Sequence, residues 1–218
     1  AHLQGEVRID GVAGHSVGEY AALAAAGVLS VEEGARLVQT RGQIMAKAGE
    51  KHPGTMAAIL GLDRDALEKV CKSTSGIVVI ANDNCPGQLV ISGEVEAVAK
   101  AGEAAIAAGA KRALPLNVSG ALDQATFAEG WGRVFSNVTA QPVVQQGVWP
   151  DLLERQLKSP VRWTETIQNM VNEGVKTYIE CGVGDVLSGL LKRIDRDSKG
   201  LRVNSLETLE ETVGAIRA

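Results

Sequence analysis

The sequence predicts an α/β protein in which a parallel-sheet main domain is interrupted by a small β-α-β-β-α-β insertion. Three observations point there. Short helical segments alternate with strand-like ones on both sides of residues 54–118, as crossover helices alternate with parallel strands. Residues 54–118 carry an order of their own: strand, helix, two strands, helix, strand. The composition, 45% apolar and 22% charged over 218 residues, is that of an ordinary globular chain.

The elements follow in order. Ile9 to Ala13 reads as a short strand running into a turn at Gly14, and residues 18–27 as a helix stopped by Gly27. Ser30 with Glu32 and Glu33 supplies a cap and acidic first turn for a second helix, from 31 to about 48, whose apolar positions Ala35, Leu37, Val38, Ile44 and Met45 share a face. Pro53 and Gly54 break it. Within the insertion, strands are expected at 55–62, 76–84, 86–93 and 110–118, and helices at 63–75 and 94–109. Beyond it, helical character is expected at 122–132, 149–157 and 163–173, and a strand near 134–138. "KTYIECGVGDVLSGLLKRI" (176–194) reads as strand, glycine turn and helix, and 201–208 as a final short strand. With aromatics at 3%, the core is expected to be built of Ala, Val, Leu and Ile.

Several function classes are disfavoured. The net charge is −4 without a basic block, which argues against a nucleic-acid partner. No apolar run approaches the ~18 residues of a membrane span, and the start shows no signal-peptide pattern. Cys71, Cys85 and Cys181 are scattered and odd in number, which favours a reducing, cytoplasmic setting. His2, His15 and His52 lack metal-ligand spacing, so neither a metal nor a resident cofactor is expected.

Gly14-His15-Ser16-Val17-Gly18 fits G-x-S-x-G between a strand and a helix. A strand turning sharply into a helix leaves the serine strained with its hydroxyl exposed, and the flanking glycines allow close backbone approach. The Val17 N–H then starts the helix and can face a developing oxyanion. Ser16 is therefore a candidate nucleophile; the other reading is a purely structural turn. A nucleophilic serine needs a base. His15, its neighbour on a tight turn, is expected to pack beneath the turn rather than reach the hydroxyl. His2 lies near the start of the sequence, and His52 stands at the entrance to the insertion. The motif also comes early for an α/β domain, so the chain is expected to begin inside one.

"GHSVGEYAALAAAGVLS" followed by "RGQIM" (41–45) resembles the malonyl-CoA:acyl carrier protein transacylases of type II fatty acid synthesis. "MAAILGL", "ANDNCPGQLVISG", "GAKRALPLNVS", "SNVTAQPV", "RQLKSPVRWTETI" and "IECGVGDVLSGLLKRI" match the same family in the same order, over nearly the whole chain. The resemblance implies an α/β-hydrolase-like large subdomain (1–53 and 119–218) and a ferredoxin-like small one (54–118). It implies ping-pong transfer of malonyl from coenzyme A to the phosphopantetheine thiol of acyl carrier protein. Ser16 is then the acylated nucleophile, the Val17 N–H half of an oxyanion hole, and Arg41 the clamp on the malonyl carboxylate, a role that suits the planar fork of a guanidinium. Without the family, Arg41 reads as a surface arginine. Asn82, Asn84 and Gln88 fall in the family's Asn-x-Asn-x-Pro-Gly-Gln segment and are either substrate contacts or hydrogen bonds that fix a hairpin. Lys111, Arg112, Lys192 and Arg193 are either a surface for the acidic carrier protein or ordinary solvated charges. A monomer is expected.

The sequence departs from the family in two places. The Gly-Gln-Gly-Ser-Gln loop, whose glutamine backbone supplies the second oxyanion donor, has no counterpart. The catalytic histidine of a Ser-x-Pro-Phe-His-like segment is missing where "LPLNVSGA" (114–121) runs into "LDQATFAEGW". A shorter gap falls between Pro142 and Trp149. Either loop residues are left out and the flanking ends joined, or the chain is truly shortened. The first is expected, because losing the first βα unit would expose a long sheet edge. Two other functions stay open: an inactive relative that binds acyl-CoA or acyl carrier protein, and a serine esterase, against which Arg41 argues.

Overall fold

The computed structural model describes residues 8–51, 54–116, 127–128 and 130–217. Their elements run β1 (Val12–Ala13), α1 (Gly18–Ala25), α2 (Val31–Lys51), β2 (Gly54–Leu60), α3 (Arg64–Ser73), β3 (Val78–Cys85), β4 (Gln88–Glu94), α4 (Val95–Ala107) and β5 (Arg112–Leu116). They continue with β6 (Val134–Phe135), β7 (Pro142–Val143), a 3-10 turn (Gln146–Val148), α5 (Trp149–Gln156), β8 (Val161–Arg162), α6 (Trp163–Asn172), β9 (Thr177–Cys181), α7 (Val186–Ile194), β10 (Lys199–Val203) and α8 (Leu206–Arg217). The chain forms two compact units, Gly11–Thr166 and a second built on Ile167–Ala218.

In the first unit β2 to β5 form an antiparallel sheet with two helices in the expected β-α-β-β-α-β order, and the strands stand β5-β2-β4-β3. Its core is aliphatic, as the composition predicts: Ile59, Leu67, Val70, Ile80, Leu89, Ile91 and Val98 are buried together. Asp63 starts α3 by accepting a hydrogen bond from the Ala66 N–H at 2.8 Å. The sheet also gains an edge strand from outside the insertion, which the sequence reading does not foresee. β8 pairs with β3 in parallel, Asn82 opposite Val161 and Asp83 opposite Arg162.

The second sheet of this unit is β1-β6-β7. β1 and β6 are parallel, with Val12 opposite Val134 and Ala13 opposite Phe135. The all-parallel expectation is corrected at β7, which runs antiparallel to β6 because the six residues between them are too few for a crossover. The expected strand to 138 is cut short by that turn, in which the Ser136 N–H donates to Gln141 O at 3.1 Å and Ala140 sits at φ 58. The core here is not purely aliphatic: Tyr20 and Trp149, at 1% and 0% exposure, pack among Leu23, Val28, Leu37, Val134 and Leu153.

Helix α1 ends where expected, at Gly27 with φ 75. Helix α2 opens on a reciprocal cap. The Glu33 N–H donates to Ser30 Oγ at 3.1 Å, and the Ser30 N–H and hydroxyl both donate to the Glu33 carboxylate. The expected helix at 122–132 lies mostly outside the described residues, and 127–128 and 130–132 are not helical.

In the second unit, β9 and β10 pair in parallel and α7 follows β9, as read. The final strand gives way to a helix the reading misses. Ser205 and Thr208 cap α8 reciprocally, with the Ser205 N–H donating to Thr208 Oγ1 at 2.9 Å and the Thr208 N–H to Ser205 Oγ at 3.2 Å.

Ile91 sits fully buried on the central strand β4. Ile91→Ala is expected to lower unfolding free energy by about 2–5 kcal/mol in a denaturant titration, and a loss under about 0.5 kcal/mol would contradict its place in the core.

Candidate active site

Strands β1 and β6, parallel neighbours, end side by side, and the residues that follow each of them build the site. After β1 comes the glycine-serine turn. Ser16 has φ 53, the left-handed region that costs a non-glycine residue about 1–2 kcal/mol. Gly14 is obligatory, since a Cβ there would stand 1.9 Å from Gly18 O and 2.6 Å from Glu19 N. The reading that both flanking glycines are needed is corrected at Gly18, where a Cβ would meet nothing within 4 Å among the described residues. Val17 takes helical angles, φ −58 and ψ −28, and the Gly18 N–H donates to His15 O at 2.9 Å. The Val17 N–H itself has no hydrogen-bond acceptor among the described residues, so a free donor of the α1 N-terminus lies next to the serine.

Arg41, halfway along α2, brings its Nη2 to Ser16 Oγ, to which it donates at 3.0 Å. Its Nε is buried without an acceptor among the described residues. Two of the sequence-predicted residues are thus brought together, a cation with a spare donor beside a strained serine. Asn84 is also in place, but against His15: His15 Nε2–H donates to Asn84 Oδ1 at 2.7 Å. Trp163 lies against the same imidazole in a T-shaped contact, ring centroids 5.5 Å apart. Burial lowers the His15 pKa, and the Asn84 hydrogen bond only partly opposes it. His15 is therefore a neutral ring held by Asn84, and no hydrogen bond joins it to Ser16. His2 and His52 lie outside the described residues. Asn82 occupies an irregularity of β3 opposite Val90 and Val161. Gln88 opens β4, and its Oε1 accepts from Cys85 Sγ at 3.9 Å. Lys111 and Arg112 are exposed in the first unit, Lys192 and Arg193 in the second. Among the described residues no group of histidine, cysteine and carboxylate side chains could hold a metal ion.

The structure adds residues that the sequence reading missed. After β6, Asn137 accepts the Ser16 N–H on Oδ1 at 2.7 Å and donates from Nδ2 to Gly14 O at 2.7 Å. Gln156, the last residue of α5, donates from Nε2 to Ser16 O at 3.1 Å. Both are tied to Glu19 in the first turn of α1, which accepts the Asn137 N–H at 2.7 Å and a second hydrogen bond from Gln156 Nε2. Glu19, Asn137 and Gln156 are all buried. A signal was present only for Glu19, an acid that opens the apolar run Tyr20–Ala26; Asn137 and Gln156 stand among other polar residues and carried none.

The chain is similar to known proteins over most of its length. Residues 2–193 match the acyl transferase domain. A malonyl CoA-acyl carrier protein transacylase of Bacillus subtilis is 41% identical over 227 aligned positions, covering 95% of this chain and 72% of that one. Its counterpart in Staphylococcus aureus is 40% identical, covering 92% and 70%. Among solved structures, a malonyl-transacylase in complex with a type II polyketide acyl-carrier protein superposes with a TM-score of 0.90 at 38% identity, covering 97% of this chain and 74% of that one. The acyl-carrier-protein S-malonyltransferase of Bartonella henselae also gives 0.90, at 37% identity, covering 100% and 76%.

Glu19 gives the site a pH signature. Burial raises its carboxyl from 4.5 to about 7, against the hydrogen bonds it accepts and the nearby charge of Arg41. The folded state therefore keeps this proton to a higher pH than the unfolded chain. Glu19 is harmless to stability below its ordinary pKa and increasingly destabilising as pH rises through 7. Unfolding free energies of wild type and Glu19→Gln are expected to diverge in favour of the variant by up to about 3 kcal/mol between about pH 5 and pH 8, and a pH-independent difference would contradict this.

Proposed function

The chain belongs to the acyl transferase family, and we propose that it moves a malonyl group from malonyl-CoA to the phosphopantetheine thiol of acyl carrier protein, as an acyltransferase of fatty acid biosynthesis. One observation carries the reading: the Arg41 guanidinium reaches the hydroxyl of the strained Ser16 and keeps a buried donor spare.

The chemistry follows from that pair. Ser16 Oγ attacks the thioester carbonyl, and the oxyanion that forms accepts the Val17 N–H. Collapse of the tetrahedral intermediate expels coenzyme A as its thiolate, which takes up the proton Ser16 has given up, and leaves a malonyl ester on Ser16. The carrier protein's thiol loses its proton as it attacks that ester, and the proton returns to Ser16 Oγ as the serine is released. Throughout, Arg41 holds the free carboxylate through two parallel hydrogen bonds, so its fork sets where the carbonyl lies. A neutral acyl group leaves the cation unpaired, which makes the clamp selective as well as attractive. In the family the serine's proton goes to a histidine, which this sequence lacks at the matching place.

The finer assignments rest on the same membership. The strand order β5-β2-β4-β3 supports a ferredoxin-like small subdomain at 54–118. The parallel β1–β6 pair supports an α/β-hydrolase-like large subdomain at 1–53 and 119–218. Asn84 orients His15, while Asn82 and Gln88 belong to the hairpin beside it. The protein works as a cytoplasmic monomer with coenzyme A only as substrate, and its net charge of −4 suits neither nucleic acid nor an anionic membrane as partner. No helix among the described residues is long and apolar enough to cross a membrane.

A second reading is favoured by one observation, that no described histidine bonds Ser16: a relative that binds acyl-CoA or acyl carrier protein without turnover. Intact mass after brief incubation with malonyl-CoA separates the two. A malonyl adduct that vanishes in Ser16→Ala supports transfer; binding without an adduct supports the second reading. Arg41→Ala is expected to slow malonyl transfer by at least about 100-fold while changing acetyl transfer only a few-fold, and equal losses for both acyl groups would remove the clamp assignment.

A further inference from the structure

A serine in the left-handed region returns to an ordinary conformation unless its surroundings prevent it. Here the restraint on its N–H comes from one side chain. Asn137 grips the turn on both sides of His15, taking the Ser16 N–H on its oxygen and giving its amide hydrogen to Gly14 O, each at 2.7 Å. The geometry is polar and one-way: the oxygen must face the Ser16 donor and the nitrogen the Gly14 acceptor. Asn137 is itself fixed. Its exposure is 1%, its N–H donates to Glu19 at 2.7 Å, and its carbonyl accepts the Arg162 N–H at 3.0 Å. It stands just past Phe135, whose register partner Ala13 precedes Gly14, so pairing of β1 with β6 delivers the amide to the turn.

We infer that Asn137 is a positioning residue for transfer, whose side-chain amide sets the distance between Ser16 Oγ and the Arg41 guanidinium and so couples acylation rate to acyl selectivity. The inference rests on the malonyl-transfer reading. The Oγ–Nη2 separation of 3.0 Å is what lets one substrate satisfy both groups at once. If the turn relaxes, Oγ moves while Arg41, carried by α2, stays. A malonyl group held by its carboxylate then presents its carbonyl to the wrong point, whereas an acetyl group, which Arg41 does not hold, can follow the serine.

The test compares Asn137→Ala with Val138→Ala, a buried neighbour in the same turn whose side chain makes no hydrogen bond to Ser16. Acylation by malonyl-CoA and by acetyl-CoA is followed by intact mass per serine that eventually labels, which removes any unfolded fraction. Hydrogen exchange of the Ser16 amide is read in parallel. Asn137→Ala is expected to slow malonyl acylation about 10- to 100-fold, to lower the malonyl-over-acetyl preference, and to expose the Ser16 amide. Val138→Ala should lose stability while keeping the preference and the protection. If Asn137→Ala does not fold, Asn137→Asp, which keeps the acceptor but turns an oxygen toward Gly14 O, is read the same way. An unchanged preference with a protected Ser16 amide overturns the inference, even if the rate falls. A wild type that never acylates removes the transfer reading instead, and the amide exchange then decides whether Asn137 holds the turn.

Discussion

The Asn137 amide, lodged between the ends of two parallel strands, is the contact on which the rest of this site depends. It closes on Gly14 and Ser16 at once, and it does so where water is excluded, so that neither hydrogen bond competes with solvent. The left-handed serine is held by that amide, while the absence of a side chain at Gly14 lets the first turn of α1 fold back directly over the same backbone. Gln156 and Glu19 extend the same arrangement to the ends of α5 and α1, which makes the serine the meeting point of four elements rather than the tip of a free loop. Two polar side chains and one acid hold what would otherwise be a strained and short-lived backbone shape.

Burying those groups has its own cost, borne mostly by Glu19. An acid with hydrogen bonds from the Asn137 N–H, the Gln156 amide and the Ser136 hydroxyl is still short of what water supplies, so burial raises its pKa to about 7. The neutral form relieves the site of a negative charge near Arg41, the residue proposed to hold the substrate carboxylate. His15 is treated similarly: sandwiched between Asn84 and Trp163, it stays neutral and adds no second cation to the surroundings of Arg41. Burial works against charge on both Glu19 and His15, which leaves Arg41 as the charged group beside Ser16, and under the proposed transfer reading the discrimination between a malonyl and an acetyl group rests on it.

How much of this was legible depends on whether the cause was local. The insertion could be read in order because each strand and helix announces itself through its own periodicity and caps; Asp63 at α3 and Ser30 with Glu33 at α2 are local signals. Ser16 was legible because the glycine-serine turn is a five-residue object, and the strain read from it is present as φ 53. Arg41 became meaningful only through resemblance, since nothing within α2 distinguishes it from a surface arginine. Asn137 and Gln156 lie 121 and 140 positions from the serine they hold, and no periodicity spans that distance. α8 is a different kind of miss: its Ser205-x-x-Thr208 cap was in plain view, but Thr in place of Glu weakened the signal. β8, two residues long, is defined by its partner β3 and not by itself.

That short strand has a consequence for how the chain is made. The sheet of the insertion is almost complete when Leu116 has been added, yet its outer strand β3 keeps an open edge until Val161 and Arg162 arrive. Asp83 waits with it, for Thr164 Oγ1, which donates to its carboxylate at 2.6 Å. During synthesis from the N-terminus, then, the insertion stands as a nearly finished module with one adhesive side for the time it takes to translate the intervening residues, a window in which a second nascent chain could zip onto the same edge. The two residues that close it make the module a poor cassette. Grafted elsewhere without β8, it would carry the bare edge with it, and a natural exchange of this segment between relatives would have to bring its distant fifth strand along.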